Sequence, residues 1–418
     1  MADPVYAPRP PLAPTPDEAR ILAWDLMRGI AVLGILVANI PGMSLARWLV
    51  EADPSKVGTS SRIDWLAFVL VRVLADSKFM TAFSLLFGAG LALLHCKATT
   101  RGRGFGEVVS RRLVALFGVG VLHGTLIWFG DILTGYALVA PAALPFVRRR
   151  SRTLVIWAIA LLLLSLLAMV AIYSMDPDRW VERRKDANGT VLSVEESRAL
   201  ETAEIAEVYS SGDFRRMLSP RVNWYVFGTL SYITVYGPRT LALFLLGIAA
   251  VRSRVAVDVA DHRRFWRRLL WIGLGLGVPL HALHLAIGSA TPSARMIAEF
   301  ALYVGSLCQC LGYCGVAALW SLGSPLMGLK SRLAAVGRMA FTNYIAQSVI
   351  TAIVFNYLGF YDRLGRTEGL LLACAILALQ VAWSRPWLAR FRMGPLEWLW
   401  RAFTYWRFTP LRRFVQTT

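Results

Sequence analysis

Residues 24–44, WDLMRGIAVLGILVANIPGMS, constrain this chain most: an apolar run of bilayer length that carries Asp25, Arg28 and Asn39. On a helix, Arg28 and Asn39 are eleven residues apart, about 16 Å and three turns, so they share one face. A charge and an amide inside a membrane-length segment are tolerated only where they face protein or water. That face is the first place to look for function.

The run is one of many. Over half of the 418 residues are hydrophobic, and several separate stretches approach the roughly 20 apolar residues that cross a bilayer. The reading is an all-α polytopic membrane protein of about ten spans: 24–44, 78–96, 112–129, 131–147, 153–174, one from about 239, 268–288, 296–320, 333–357 and 369–384. An amphipathic stretch, IDWLAFVLVRVLADSKF, precedes the second span. The segment 222–251 is too long for one crossing and is broken at Gly237-Pro238, so an interfacial or re-entrant piece is expected before the crossing.

The net charge of +19 does not require nucleic acid. The basic residues cluster in short loops, such as Lys97 to Arg112, RRRSR at 148–152 and Arg252 to Arg268, as cytoplasmic loops do. Both termini then fall in the cytoplasm. Residues 1–20 are proline-rich without an apolar core, and read as a disordered tail rather than a signal peptide. Residues 21–174 form a first bundle of about five helices. Residues 175–220, with ten acidic and seven basic residues, form an extracytoplasmic soluble insertion, read as a helical hairpin or cap. Residues 221–390 form a second bundle of about five helices. Residues 391–418 form a basic, Trp-rich interfacial tail on the cytoplasmic side.

The polar groups within the spans sort by depth. Asn39, Asp76, His123, Asp131, His281 and His284 lie toward the outer side. Arg28, Arg111, Arg112, Arg338, Asn343, Gln347 and Arg401 lie toward the cytoplasm. Arg112 and His123 repeat the Arg28–Asn39 spacing. His123 is the strongest general-base candidate, because neutral imidazole titrates near operating pH. Asp131 follows across a tight turn and is placed to orient it; the competing reading is a histidine bonded to a neighbouring helix. Arg28, Arg112 and Arg338 can together make an anion pocket, since arginine matches phosphate bidentately, although positive-inside anchoring explains any one of them. Asn343, Gln347 and Thr351 form one stripe with Tyr344 and Ser348 beside it, which either lines a cavity or bonds to another helix. His281 and His284 are expected to pack or line a pore, because no further ligand completes a metal site. The thiols of CQCLGYC (308–314) read as small buried groups. Walker A, Rossmann and GxSxG motifs are absent. Gly118, Gly120, Gly124, Gly273, Gly275 and Gly277 are assigned to close helix packing.

Four stretches, DLMRGIAVLGILVANI, KFMTAFSLLFGAGLAL, the HGTLIWFGDILTGYAL region, and GRMAFTNYIAQSVI followed by GPLEWLWRAFTY, resemble the DUF418 (YeiB-like) family of bacterial membrane proteins. More distantly, the first helix resembles those of the acyltransferase-3 family, with its Arg-x10-His, and of the heparan-α-glucosaminide N-acetyltransferase family, with its Arg-x10-Asn. Arg28-x10-Asn39 matches the second form. That family places its histidine in the following loop, whereas residues 41–76 here contain none.

The resemblance implies an acyltransferase-like bundle in the bacterial inner membrane. It would pass an acyl group from cytoplasmic acyl-CoA, acetyl-CoA above all, to a small-molecule, glycan or lipid acceptor at the outer face. Arg28, Arg112 and Arg338 would hold donor phosphates, with Asn343, Gln347 and Asp76 as further binding candidates. His123 would be the base, oriented by Asp131, and Asn39 would donate to the oxyanion. No metal is expected, and a homo-oligomer is compatible with the pattern. The alternatives are a permease for a small anionic solute and a scaffold for partner proteins.

Overall fold

The computed structural model describes residues 20–46, 61–100, 104–173, 175, 181–186, 188–287 and 291–413; the proline-rich tail lies outside them except for Arg20. Among the described residues there are helices and two isolated bridges, but no strand. The helices are α1 (Leu22–Ser44), α2 (Arg62–Leu74), α3 (Lys78–Thr100), α4 (Phe105–Leu126), α5 (Leu133–Ala143), α6 (Ser151–Tyr173), α7 (Val194–Ser210), α8 (Phe214–Ser231), α9 (Gly237–Arg252), α10 (Arg263–Ile287), α11 (Pro292–Leu322), α12 (Met327–Arg338), α13 (Ala340–Ala352), α14 (Arg366–Arg390) and α15 (Pro395–Tyr405).

Seven helical stretches are long and apolar enough to cross a membrane: α1, α2–α3 together, α6, α8–α9 together, α10, α11 and α14. The chain is an all-α, multi-pass membrane protein. The expected spans at 112–129, 131–147 and 333–357 are helical but are not among the seven. The first of these lies within α4, which begins with Glu107, Arg111 and Arg112. The last is divided at Met339 into α12 and α13.

Lipid-facing surface is recognisable because large apolar side chains stay uncovered, such as Ile156 and Leu167 on α6 and Trp271 and Ile272 on α10. In water such faces would be a liability; in hydrocarbon they are solvated. By contrast, α1 is surrounded. Leu26, Ala31, Val32 and Leu36 are at most 1% exposed, and the helix packs on α3, α11, α12, α13 and α14.

Two crossings depend on the absence of a side chain. A Cβ at Gly29 would strike the Leu333 carbonyl oxygen, and one at Gly337 would strike that of Asp25. This reciprocal pair lets the backbones of α1 and α12 touch. Gly88 and Gly247 do the same for α3 and α9 against Phe244 and Leu85. Of the glycines assigned to packing, Gly273 and Gly277 meet α11, Gly120 meets Asp131 and Thr134, and Gly124 meets Tyr225. A Cβ on Gly118 or Gly275 would meet nothing within 4 Å, so close helix packing does not explain these two.

Residues 222–251 differ from the expected re-entrant piece. The helix does not break: a π-helical turn at Tyr232–Tyr236 carries α8 into α9 and places Pro238 in the first turn of α9. Proline lacks an N–H, and a π-turn or a helix start absorbs that loss. In the 175–220 region, α7 is opened by a reciprocal capping box between Ser193 and Glu196, and Asp213 caps α8. Thus α8 is already under way before residue 220.

The C-terminal helix α15 is not merely laid on the bilayer interface. It docks on α4 and the start of α13, burying Glu397, Ala402 and Thr404.

Candidate functional site

α1, α3, α4, α5, α12, α13 and α15 line a cavity of about 360 Å³ at the end of the bundle that carries the basic loops, within the size range of small-molecule sites. Arg20, Arg28, Lys97, Arg112, Arg338 and Arg401 line it, against one lining carboxylate, Glu397. Arg28 is held by Asp25 of its own helix (3.1 Å), which also pairs with Arg20 (3.5 Å). Arg112 has no carboxylate partner among the described residues. Its guanidinium lies over Trp400 (4.6 Å) and Phe87 (5.8 Å), and its Nε is buried without a hydrogen bond. Such stacking orients a guanidinium and leaves its in-plane donors available to an anion.

Glu397 has a different role from the cations. Its carboxylate accepts from the Phe341 N–H (2.7 Å), the Thr342 N–H (3.1 Å) and the Thr342 hydroxyl (2.5 Å). It therefore caps α13 from another helix, satisfying donors that every helix start leaves open. Burial raises its pKa above the ordinary carboxylate value, while these hydrogen bonds work in the opposite direction. Glu397→Ala is expected to lower stability by about 1–2 kcal/mol, read as a lower thermal midpoint of detergent-purified protein, because the cap on the cavity-lining turn is lost.

Beyond the cavity, His123 and Asp131 pair at 2.9 Å between Nδ1 and Oδ1, and both side chains are fully buried. The pairing follows from local structure. α4 ends just after His123, whose carbonyl accepts from the N–H groups of Ile127 and Trp128. The chain then reverses, and the second Asp131 oxygen accepts from the Thr134 N–H (2.7 Å) at the start of α5. Gly120 makes room for the reversal, since a Cβ there would lie 2.6 Å from Thr134 N and 2.8 Å from Asp131 Oδ2. With Nδ1–H donating to Asp131, His123 Nε2 carries the lone pair, and it has no hydrogen-bond partner.

Two aromatic rings flank this imidazole. Tyr344, from α13, lies 5.1 Å away between centroids and lines the cationic cavity. Trp128 lies 6.5 Å away and lines a second, small pocket at the opposite end of the bundle. The pair thus sits in the wall between two chambers. α1 passes both chambers: Arg28 lines the first, and Gly42 and Met43 line the second. A third cleft, about 700 Å³, is almost wholly apolar and shares Trp24 and Leu86 with the cationic cavity.

The other candidates are placed elsewhere. Asn343 and Gln347 are buried and engaged by α14: Asn343 donates to Ser384 (3.2 Å) and accepts from Trp383 (3.2 Å), and Gln347 donates to Gln380 (2.8 Å). Neither lines the cavity. Asn343 and Gln347 are therefore interhelical, whereas Tyr344 lines the cationic cavity and Ser348 and Thr351 line the second pocket. Asp76 pairs with Arg72 and accepts from Ser77 (3.2 Å). Beside it, Lys78 donates to His281 (2.8 Å), and Arg72 donates to His284 (3.1 Å), so this cluster fastens the α2–α3 corner to α10. Asn39 is half-buried with no hydrogen bond to a described residue, and no contact joins it to His123.

Tyr344, Trp400, Arg401 and Glu397 enter the site from elements that sequence reading assigned to a polar stripe or to the interface. Only the docking of α15 onto α4 and α13 reveals them.

Residues 250–407 match the family described as "Protein of unknown function (DUF418)". "Uncharacterized protein YxaH" of Bacillus subtilis (strain 168) is 32% identical over 96% of this chain and 98% of its own length. "Uncharacterized protein YeiB" of Escherichia coli (strain K12) is 28% identical over 92% of this chain and 96% of its own. A 39.9 kDa protein of Bacillus acidopullulyticus is 25% identical over 94% and 96%. No solved structure matches the chain. With a relative this similar along nearly its whole length, the chain belongs to the DUF418 family of bacterial proteins.

Proposed function

We propose that this protein is a membrane-embedded acyltransferase of the cytoplasmic membrane, which takes an acyl group from acyl-CoA and passes it to an acceptor approaching from the opposite side. The observation that carries the proposal is the buried His123–Asp131 pair, with an unpartnered Nε2, in the wall between a cationic cavity and a second pocket. Phosphates of the donor suit the cavity's six cations. Arg28 is held by Asp25, whereas Arg112 has a buried Nε without a hydrogen bond and is the arginine we assign to the donor phosphates.

In the proposed step, His123 Nε2 removes the proton from an acceptor hydroxyl or amine, whose heteroatom attacks the thioester carbonyl. The tetrahedral oxyanion collapses, the C–S bond breaks, and the imidazolium returns the proton to the thiolate, giving CoA–SH and the acylated acceptor. Asp131 fixes the tautomer and stabilises the imidazolium. Tyr344, whose ring flanks the imidazole at 5.1 Å between centroids, takes the oxyanion role in preference to Asn39. Access to Nε2 requires the Tyr344 or Trp128 ring to swing aside, which would open one chamber to the histidine at a time.

Acyl-CoA turnover by purified protein, with His123 variants as controls, tests this reading. The same two chambers would also serve a permease, and liposome flux discriminates, because an acyltransferase need not move net solute. Gly120→Ala is expected to push Asp131 away from His123 and reduce transfer about 10²-fold, as misplacements near 1 Å do, with thermal stability as the accompanying measurement.

A further inference from the structure

The second pocket holds an unusual set of groups. It lies between the ends of α1 and α4, the loop at Ile127–Phe129, α7, α8 and the end of α13. Arg221 lines it at 1% exposure and pairs with no carboxylate among the described residues. One of its terminal nitrogens donates to the Leu126 carbonyl (2.7 Å), the other approaches the Met217 sulfur (3.7 Å), and Nε has no partner. The Trp128 indole N–H and the Tyr361 hydroxyl, both lining the same pocket, are likewise buried without hydrogen bonds, while the Tyr209 hydroxyl, which also lines it, is within hydrogen-bonding reach of Arg221. Asp362, next to Tyr361, is engaged instead by the Ala46 N–H (2.9 Å).

Three unsatisfied buried donors around one pocket, Arg221 Nε, Trp128 Nε1 and the Tyr361 hydroxyl, are rare, because each costs about 1–3 kcal/mol unless something accepts from it. A buried guanidinium without a counter-charge adds to the imbalance. Unsatisfied donors, one permanent positive charge and no acid in the lining define the complement: an oxyanion. The pocket's volume is about 10 Å³, room for about one water, so the entering group is small and seats as Trp128 moves.

We infer that this pocket is an anion-recognition site, formed by Arg221, Trp128, Tyr209 and Tyr361, that holds a carboxylate or phosphate group of the acceptor on the far side of His123. The inference rests on the acyl-transfer reading for the word acceptor, but not for the anion. It also gives Trp128 a second role: the ring that screens His123 is the one the bound anion would reposition.

The test is binding, independent of turnover. Purified protein is titrated with glycerol 3-phosphate, inorganic phosphate, acetate and uncharged glycerol, with thermal midpoint and tryptophan fluorescence as readouts. A saturable response to an anion and none to glycerol is expected; phosphate against acetate distinguishes the two headgroups. Tyr361→Phe removes only a hydroxyl that lacks a partner, so this variant is expected to fold as stably as the parent yet bind at least about tenfold more weakly. Trp128→Phe is expected to act likewise. Arg112→Gln separates the sites, since it weakens anion binding in the cationic cavity and leaves this pocket intact. The inference is overturned if no anion gives a saturable response, if glycerol matches glycerol 3-phosphate, or if the response survives in the Phe variants and vanishes only in Arg112→Gln. Anion binding without acyl transfer would sink the transfer reading and leave this one standing.

Discussion

Replacing His123 with glutamine is expected to slow acyl transfer about 10²–10⁴-fold, the range for losing a positioned general base, while acyl-CoA binding stays close to that of the parent. Glutamine is the informative substitution. His123 is fully buried against Asp131, so alanine would strand a carboxylate, at about 3–5 kcal/mol, and confuse unfolding with loss of chemistry. A glutamine amide can still donate to Asp131 and hold the turn between α4 and α5, but it cannot take up a proton. The kinetic signature follows from the assignment: kcat falls, KM for the donor holds, and the thermal midpoint moves little. A drop in donor affinity equal to the drop in kcat would place His123 in the binding site rather than at the reacting atoms.

Arg112→Gln is expected to act the opposite way. The side chain keeps contact with Phe87 and Trp400 but loses the charge and the unbonded Nε. A charge-assisted hydrogen bond to phosphate contributes about 1.5–3 kcal/mol, so the donor KM should rise about 10- to 100-fold with kcat nearly preserved. The effect should shrink in high salt, as screening weakens the interaction in the parent. Arg28→Gln is a poorer probe, because it also releases Asp25 and the Arg20 contact.

Much of this was legible in the sequence, for identifiable reasons. Bilayer-length apolar runs separated by basic loops leave few folds other than a helical membrane bundle. His123 and Asp131 are eight residues apart across a turn too short to separate them. Other features depended on tertiary docking. Gly29 and Gly337, which join α1 to α12, are not among the glycines that the sequence singles out, because a lone glycine in an apolar run does not reveal which helix it meets. Nothing local to Asn343 and Gln347 distinguishes a cavity stripe from an interhelical one; Gln380, Ser384 and Trp383 on α14 decide it. Glu397, Trp400 and Arg401 read as an interfacial helix because amphipathicity does not reveal which surface the helix covers. Arg221 stands one residue before a long apolar run and was hidden in it. The Gly237-Pro238 pair was read as a break, yet a π-turn accommodates the proline and keeps the helix whole.

The central claim is that His123, held by Asp131 between two chambers, moves a proton during transfer of an acyl group. The most direct measurement is release of CoA–SH from acetyl-CoA by the purified, lipid-reconstituted protein across a panel of anionic and neutral acceptors, with His123→Gln alongside. The account predicts acceptor-dependent CoA–SH release that the glutamine variant loses while still binding acetyl-CoA. Absence of acetyl-CoA binding and turnover with every acceptor, together with solute flux in the same vesicles that His123→Gln blocks, would contradict it.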